Sequence, residues 1–256
     1  MRVTRRDRLE LLDCTFDRVT ARGAVETCLE WCRGPRSPHT VITMNAATLC
    51  MMRRDPRLRE ACRLGDLIVP DGMPVVWASR LAGLSLPERV TGVDLMLDLL
   101  RAAAPDRLRA YFLGARREVV EALARRCSRE LPRLVVAGFR DGYFEAAEND
   151  AVIRAIREAR PHMLFVGMPS PFKETWCERY RRALDVPVIM GVGGSFDVLA
   201  GYVRRAPRAL QSLGLEWSWR LAMEPQKMWK RYLTTNSSFL WLGAREILRV
   251  RLGRAA

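Results

Sequence analysis

The stretch Val188-Ile-Met-Gly-Val-Gly-Gly-Ser-Phe-Asp197 combines an apolar strand pattern, three glycines and the start of a helix near Ser195. Backbone N–H groups in such a turn can approach a diphosphate, and the N-terminus of the helix adds a favourable partial charge. Because the spacing is not Gly-x-Gly-x-x-Gly, a tight turn that needs positive φ explains the glycines equally well. Asp197 lies one helical turn in, where it could reach a ribose hydroxyl or serve only as an acid favoured by the helix dipole.

Strand and helix patterns alternate on the N-terminal side of this stretch, back to about residue 21. The predicted strands are Thr40–Met44, Asp66–Val69, Arg109–Leu113, Leu134–Ala137, Met163–Val166 and Val188–Met190. Such alternation predicts an α/β fold, a Rossmann-like, mostly parallel sheet with helices on both faces. Ligands of these folds bind at the carboxyl ends of the strands, so the loops that follow the strands are the candidate sites.

The positive charge of the chain is concentrated near its end. There are 43 Lys and Arg against 29 Asp and Glu, a net charge of +14. Residues 201–256 hold 11 of those basic residues, 3 acidic ones and four of the seven tryptophans. We therefore predict an α/β domain over residues 1–200 and a basic, Trp-rich helical appendage over 201–256. Basic and aromatic residues interleaved in this way suit an anionic membrane surface or a nucleic acid.

Two features of the appendage have competing interpretations. Basic residues recur at three- and four-residue spacing, which places them on one helix face that could bind an anion or simply be solvated: Arg220, Lys227, Lys230 and Arg231. Further on, apolar residues form one side of a helix that could lie on a membrane or pack on the main domain: Phe239, Leu240, Leu242, Ile247, Leu248 and Leu252.

The composition argues against several classes of site. Seven cysteines without CxxC spacing indicate buried thiols in a reducing compartment, and two histidines offer little for a metal site or a His-based triad. No Asp-x-Asp pair is present to hold a nucleotide-bound metal. We expect no cofactor and no metal, and a cytoplasmic chain without a signal peptide or spanning helix.

Polar residues at strand ends are the candidate catalytic groups. Asp71 follows a predicted strand and could act as a general base, although most Asp-Gly pairs are merely turns. Thr43 and Asn45 close the preceding strand and could hold a sugar, or Asn45 could simply cap a helix. Lys173 and Glu174 also follow the end of a predicted strand. Arg89, taken by itself, is typical of a solvated arginine in a surface loop.

These loops, in this order, resemble the WecG/TagA/CpsF family of bacterial glycosyltransferases, also called glycosyltransferase family 26. The resemblance runs from about Thr40 to Tyr232. Its signatures are Thr43-Met-Asn45, Asp66-Leu-Ile-Val-Pro-Asp-Gly72, Glu88-Arg-Val-Thr-Gly92, Gly138 to Phe144, Gly191-Val-Gly-Gly-Ser-Phe-Asp197, Arg205-Ala-Pro207, Leu215-Glu-Trp217 and Arg220-Leu-Ala-Met-Glu-Pro225.

The resemblance implies inverting, metal-independent transfer of a sugar from a UDP-sugar to a polyprenyl-diphosphate-linked saccharide on the inner face of the cytoplasmic membrane. Asp71 then corresponds to the base, and Thr43, Asn45 and Arg89 to pocket positions. The nucleotide site corresponds to Gly191, Gly193, Gly194, Ser195, Phe196 and Asp197. The appendage corresponds to a segment that touches the membrane and brings cations to the diphosphate. Family members can self-associate, so a homo-oligomer is possible.

Two positions depart from the family pattern, which reads roughly Gly-x-Pro-x-Gln-Glu after the Gly167 strand. Pro169 replaces a glycine and Lys173 replaces the glutamine. A lysine adds a charge, so Lys173 could favour UDP-glucose or a uronic acid over UDP-N-acetylmannosamine as donor, or touch a phosphate. The alternatives are a catalytically silent family member and a nucleic-acid-binding protein. The latter leaves Asp71, Thr43 and the glycine turn unexplained, so we expect no nucleic-acid partner.

Overall fold

A computed structural model describes residues 7–212, 214–223 and 225–253 of the chain; it does not describe the side chains of residues 208, 212, 220, 225, 227–234, 236 and 251–253. The strands are β1 (Arg8–Leu11), β2 (Cys14–Asp17), β3 (His39–Met44), β4 (Leu67–Pro70), β5 (Arg109–Gly114), β6 (Val135–Arg140), β7 (Met163–Gly167) and β8 (Val188–Gly191). The first helices are α1 (Ala21–Arg33), α2 (Ala46–Met52), α3 (Pro56–Arg63), α4 (Met73–Leu81), α5 (Gly92–Ala103) and α6 (Arg117–Glu130). They are followed by a short 3-10 helix (Ala146–Glu148), α7 (Asn149–Glu158), α8 (Phe172–Leu184), α9 (Ser195–Leu199), α10 (Arg208–Ser212), α11 (Glu216–Met223) and α12 (Pro225–Gly253).

Six strands form one parallel sheet in the order β4-β3-β8-β7-β5-β6. The predicted α/β class and its parallel sheet are confirmed. Registers near the carboxyl ends pair Met44 with Pro70 and Val166 with Gly191. The loops after β4, β3, β8 and β7 therefore meet along one edge of the sheet.

Helices cover both faces of this sheet, which explains why its strands are apolar runs without polar alternation. Every residue of β4 and of β7 is buried. On one face, Phe112 of β5 and Phe165 of β7 pack with Phe196 at the start of α9. Burial of these runs removes apolar area from water and so stabilises the fold.

Two elements lie outside the predicted pattern. β1 and β2 form an antiparallel hairpin, and its turn places Leu12 and Asp13 at φ 57° and 59°. Hairpin turns with positive φ usually show Asn-Gly or Asp-Gly, so this sequence lacks the ordinary signal. α3 did carry a signal, because Asp55 caps the helix by accepting from the Leu58 N–H (3.2 Å) and Pro56 opens its first turn.

The segment after Gly201 is helical where it is described, and it packs on the rest of the molecule. α12 lies against α2, and Phe239 and Leu242 are buried in an apolar cluster that also contains Leu9 and Leu49. Leu240 of the same helix is 73% exposed. The helix therefore has a packed side and an exposed apolar side. Within the described residues, no helix is long and apolar enough to cross a bilayer.

Candidate functional site

Asp71 and Thr43 lie at the carboxyl edge, on neighbouring strands. The Asp71 N–H donates to the Met44 carbonyl (2.8 Å), which ties the end of β4 to the end of β3. A Cβ placed on Gly92 would lie 3.4 Å from Thr43 Oγ1 and 3.8 Å from Asp71 Oδ2. Both polar side chains therefore face the first residue of α5, and the absence of a side chain at Gly92 leaves room beside them.

Asn45 caps α2. Its Oδ1 accepts a hydrogen bond from the Thr48 N–H (3.1 Å), so the capping interpretation is confirmed. Its backbone nonetheless lies at the same edge of the sheet as Asp71, one strand away. A ligand contact through the Asn45 amide remains a prediction.

The glycine turn after β8 contains glycines of two kinds. Gly193 has φ +53°, which a side chain would strain, so the turn itself requires that glycine. Gly194 has an ordinary φ of −76°, and a Cβ there would meet no atom of the described part of the chain within 4 Å. The backbone conformation therefore explains why a glycine stands at 193. At position 194 neither conformation nor packing requires a glycine, which leaves room for an approaching ligand.

The side chains that follow the glycines point away from this turn or are already engaged. Phe196 is fully buried and packs edge-on against Phe112, so its side chain belongs to the core and only its backbone remains at the predicted nucleotide site. Ser195 is buried, and its hydroxyl donates to the Val192 carbonyl (2.7 Å). Asp197 is half-buried in the first turn of α9.

Lys173 and Glu174 form a buried ion pair in the first turn of α8. The Lys173 ammonium contacts Glu174 Oε1 and donates to Ser170 Oγ (2.7 Å). Its stem lies across Gly191, where an added Cβ would be 3.1 Å from Lys173 Cδ. Lys173 thus reaches from α8 to the end of β8, and its charge is already partnered within the chain.

Arg89 is held in an ion-pair network, in contrast to the surface loop residue that its sequence context indicates. Its Nη1 donates to Glu216 Oε2 (3.3 Å) of α11. The other oxygen, Glu216 Oε1, is 3.7 Å from Arg205 Nε. Arg205 in turn makes a two-pronged contact with Asp94 in the first turn of α5. These hydrogen bonds from Arg205 lower the pKa of Asp94 below its ordinary value.

The network residues Asp94, Arg205 and Glu216 were absent from the predicted site. A sequence signal existed for Asp94, because Thr91-x-x-Asp94 is a capping pattern and the Thr91 hydroxyl donates to Asp94 Oδ2 (2.6 Å). Arg205 and Glu216 lie within two of the quoted signatures, but no role was attached to them. Their partners are distant in sequence, and only the fold brings them together.

The appendage contacts α4, the helix that follows Asp71. A Cβ on Gly214 would come within 2.7 Å of Met73 Cβ and 2.9 Å of the Trp77 ring, so the loop between α10 and α11 touches α4 closely. Of the predicted phosphate-binding cations, Arg220 is on α11, and Lys227, Lys230 and Arg231 are on α12. Their side chains lie outside the described residues, and their contacts stay predictions.

The cysteines are buried, as predicted, except for half-buried Cys50, and all seven are free thiols. Burial raises the pKa of Cys62 and of Cys177 to about 12, so both remain protonated at neutral pH. Neither thiol is suited to act as a nucleophile.

Comparison with known proteins assigns this arrangement to a family. Residues 9–253 match the family described as Glycosyl transferase WecG/TagA/CpsF family. A Bacillus subtilis relative is 37% identical over 169 residues, which cover 66% of this chain and 65% of the relative. A Staphylococcus aureus relative is 30% identical over 225 residues, covering 88% of this chain and 86% of the relative. Both carry the name N-acetylglucosaminyldiphosphoundecaprenol N-acetyl-beta-D-mannosaminyltransferase. The chain belongs to the WecG/TagA/CpsF family of glycosyl transferases.

Proposed function

We propose that the protein moves a hexose or N-acetylhexosamine from a UDP-sugar to a polyprenyl-diphosphate-linked saccharide, in the synthesis of a bacterial exopolysaccharide or another cell-surface polysaccharide. The main support is the family match together with the position of Asp71, which lies near Thr43 at the carboxyl edge, just before the helix α4 that the appendage contacts. The names of the relatives describe transfer to a diphospho-undecaprenol-linked sugar, which supports the acceptor class.

In the proposed reaction, Asp71 accepts the proton of the acceptor hydroxyl as that oxygen attacks the anomeric carbon. The new carbon–oxygen bond forms as the bond to UDP breaks, and UDP leaves with the bonding electrons. Direct attack from the opposite face inverts the anomeric centre. The glycine turn offers backbone N–H groups to the diphosphate. Asp197, in the first turn of the helix that follows, is the candidate that accepts a hydrogen bond from a ribose hydroxyl.

Cations of the chain take the place of a metal in this proposal. The developing charge on UDP requires positive groups that are already in position. Arg220, Lys227, Lys230 and Arg231 are the candidates, because their helices belong to the appendage that packs against α4 and α2. The absence of Asp-x-Asp from the sequence supports the same view.

The proposal places the protein on the inner face of the cytoplasmic membrane as a peripheral protein. Leu240, Trp241 and Leu248 of α12 are 73%, 61% and 61% exposed, and Arg245 and Arg249 on the same helix are also exposed. Exposed apolar residues next to arginines suit the interface of an anionic bilayer. This position would bring the active site to its lipid-linked acceptor.

The decisive experiment is the Asp71→Asn variant, assayed by UDP release from UDP-sugars with a synthetic lipid-diphosphate acceptor. Loss of a general base lowers turnover by about 10²–10⁴-fold, while UDP binding should stay close to that of the wild type. Asp98→Asn, an exposed carboxylate on α5 that pairs only loosely with Arg101 (3.7 Å), is the matched control. Full activity of Asp71→Asn would refute the assignment of the base.

A further inference from the structure

The Lys173–Glu174 pair lies beside Gly191, next to the glycine turn of the proposed active site. Along the carboxyl edge the order is β4 with Asp71, β3 with Thr43, β8 with the glycine turn, and β7, which leads into α8. Lys173 crosses from α8 over Gly191, and a small cavity is lined by Lys173, Glu174, Thr43 and Gly191. A sugar attached to a nucleotide at the glycine turn would therefore lie close to the pair.

One oxygen of the pair lacks a partner. Glu174 Oε1 contacts the Lys173 ammonium and accepts from the Ser170 hydroxyl (2.7 Å), whereas Glu174 Oε2 is buried and receives no hydrogen bond from the described residues. Glu174 is 3% exposed, and Lys173 is 7% exposed. A buried carboxylate oxygen without a partner destabilises the protein, so this atom needs a hydroxyl or N–H donor from a ligand or a water.

The pair as a whole carries no net charge. The carboxylate of Glu174 neutralises the charge of Lys173, the residue that departs from the family pattern. The pair therefore offers no net positive charge to bind an acidic sugar. A second carboxylate brought to this position would face Glu174 where solvent screens poorly, so the two negative charges would repel each other strongly. A neutral sugar would instead find an acceptor in Glu174 Oε2 and a donor in the ammonium group.

We propose that Lys173 and Glu174 together form a specificity-determining pair that admits an uncharged donor sugar and rejects a uronic acid. This inference rests on the proposed function, because it concerns the sugar of the same UDP-linked donor. Glu174 is the residue that decides the charge preference, and Lys173 with Ser170 holds it in place.

The test compares the binding of UDP-glucose and UDP-glucuronate by calorimetry, since the two donors differ only in the group on carbon 6. Wild-type protein should prefer UDP-glucose by at least about tenfold. Glu174→Gln leaves the Lys173 charge uncompensated, so the preference should fall by about tenfold or reverse. Glu178→Gln changes the same group one turn later on α8, where Glu178 pairs with Arg181 (3.5 Å), and should leave the ratio unchanged.

Equal or tighter binding of UDP-glucuronate to the wild type would overturn the inference, as would an unchanged ratio in folded Glu174→Gln. If that variant does not fold, Lys173→Gln provides the opposite test, because it leaves Glu174 uncompensated and should strengthen the preference for UDP-glucose. Unchanged selectivity in that variant would also overturn the inference. UDP alone separates the two proposals: absence of UDP binding would contradict the proposed function, whereas UDP binding without the expected selectivity would contradict only the role of the pair.

Discussion

At the scale of single residues, a substitution at Gly194 can show whether the glycine turn binds a diphosphate or is purely structural. Alanine fits its backbone conformation and meets no atom of the described residues within 4 Å, so Gly194→Ala should fold with unchanged or slightly higher stability. If the turn binds a diphosphate, the added methyl should weaken UDP binding by about tenfold or more, because the backbone can no longer approach as closely. Thermal unfolding and calorimetry with UDP measure the two effects.

Gly23→Ala in α1 is the control, because its Cβ would make only an ordinary contact at 3.5 Å, far along the chain from the site. Unchanged UDP affinity in Gly194→Ala would leave the turn as a purely structural feature. The sequence alone could not separate these explanations, since Gly193 and Gly194 look alike until their φ angles and neighbours are known.

The ionisation of Asp94 should make the free energy of unfolding depend on pH in the acid range. Its pKa in the folded state is lowered, first by the hydrogen bonds from Arg205, so the ionised form stabilises the fold. That contribution is complete above the ordinary aspartate pKa and is lost as the pH falls through the lower, folded-state value. Urea unfolding between about pH 5 and pH 2 should therefore show a flatter pH dependence in Asp94→Asn than in the wild type. Identical slopes would mean that the Arg205 contact contributes little.

At the scale of secondary-structure elements, the close contact between the appendage and α4 depends on Gly214. Its φ is +68°, and a side chain would overlap Met73 and Trp77. Gly214→Ala should destabilise this contact by about 1–3 kcal/mol, and it should lower activity because α11 carries both Glu216 and Arg220. Urea unfolding and UDP-release rates are the measurements.

Gly243→Ala is the matched control for this element. Gly243 lies inside α12, where an added Cβ meets no described atom outside the helix backbone within 4 Å, so alanine should raise helix stability by about 1 kcal/mol and leave turnover unchanged. Equal stability of the two variants would show that the loop before α11 does not depend on its contact with α4.

The elements differ in how far the sequence determines them. The strands of the parallel sheet are buried on both faces, so they appear as apolar runs, and their order along the chain places Asp71, Thr43 and the glycine turn at one edge. The β1–β2 hairpin was missed because Leu12 and Asp13 adopt positive φ without glycine. The Arg89–Glu216 contact and the Lys173–Glu174 pair depend on burial and on partners set by the tertiary fold, which periodicity does not encode.

At the scale of the whole molecule, the excess positive charge and the exposed side of α12 predict reversible membrane binding. Replacing Trp241 and Leu248 by serine removes two exposed apolar groups, so binding to vesicles with anionic lipids should fall several-fold while the fold is retained. Tyr143→Ser, which removes another exposed ring (75%), should not alter binding. Cosedimentation at low and high salt is the measurement, and unchanged binding of the double variant would exclude this face.

The apolar cluster that joins Leu9 and Phe16 of the first hairpin to Phe239 and Leu242 of the last helix has a consequence for biosynthesis. Residues at both ends of the chain are required to complete it, and contacts between distant residues form late. A nascent chain can assemble its sheet while translation continues, but this cluster stays incomplete until α12 has left the ribosome. The protein should therefore gain its full proteolytic resistance only after α12 has left the ribosome.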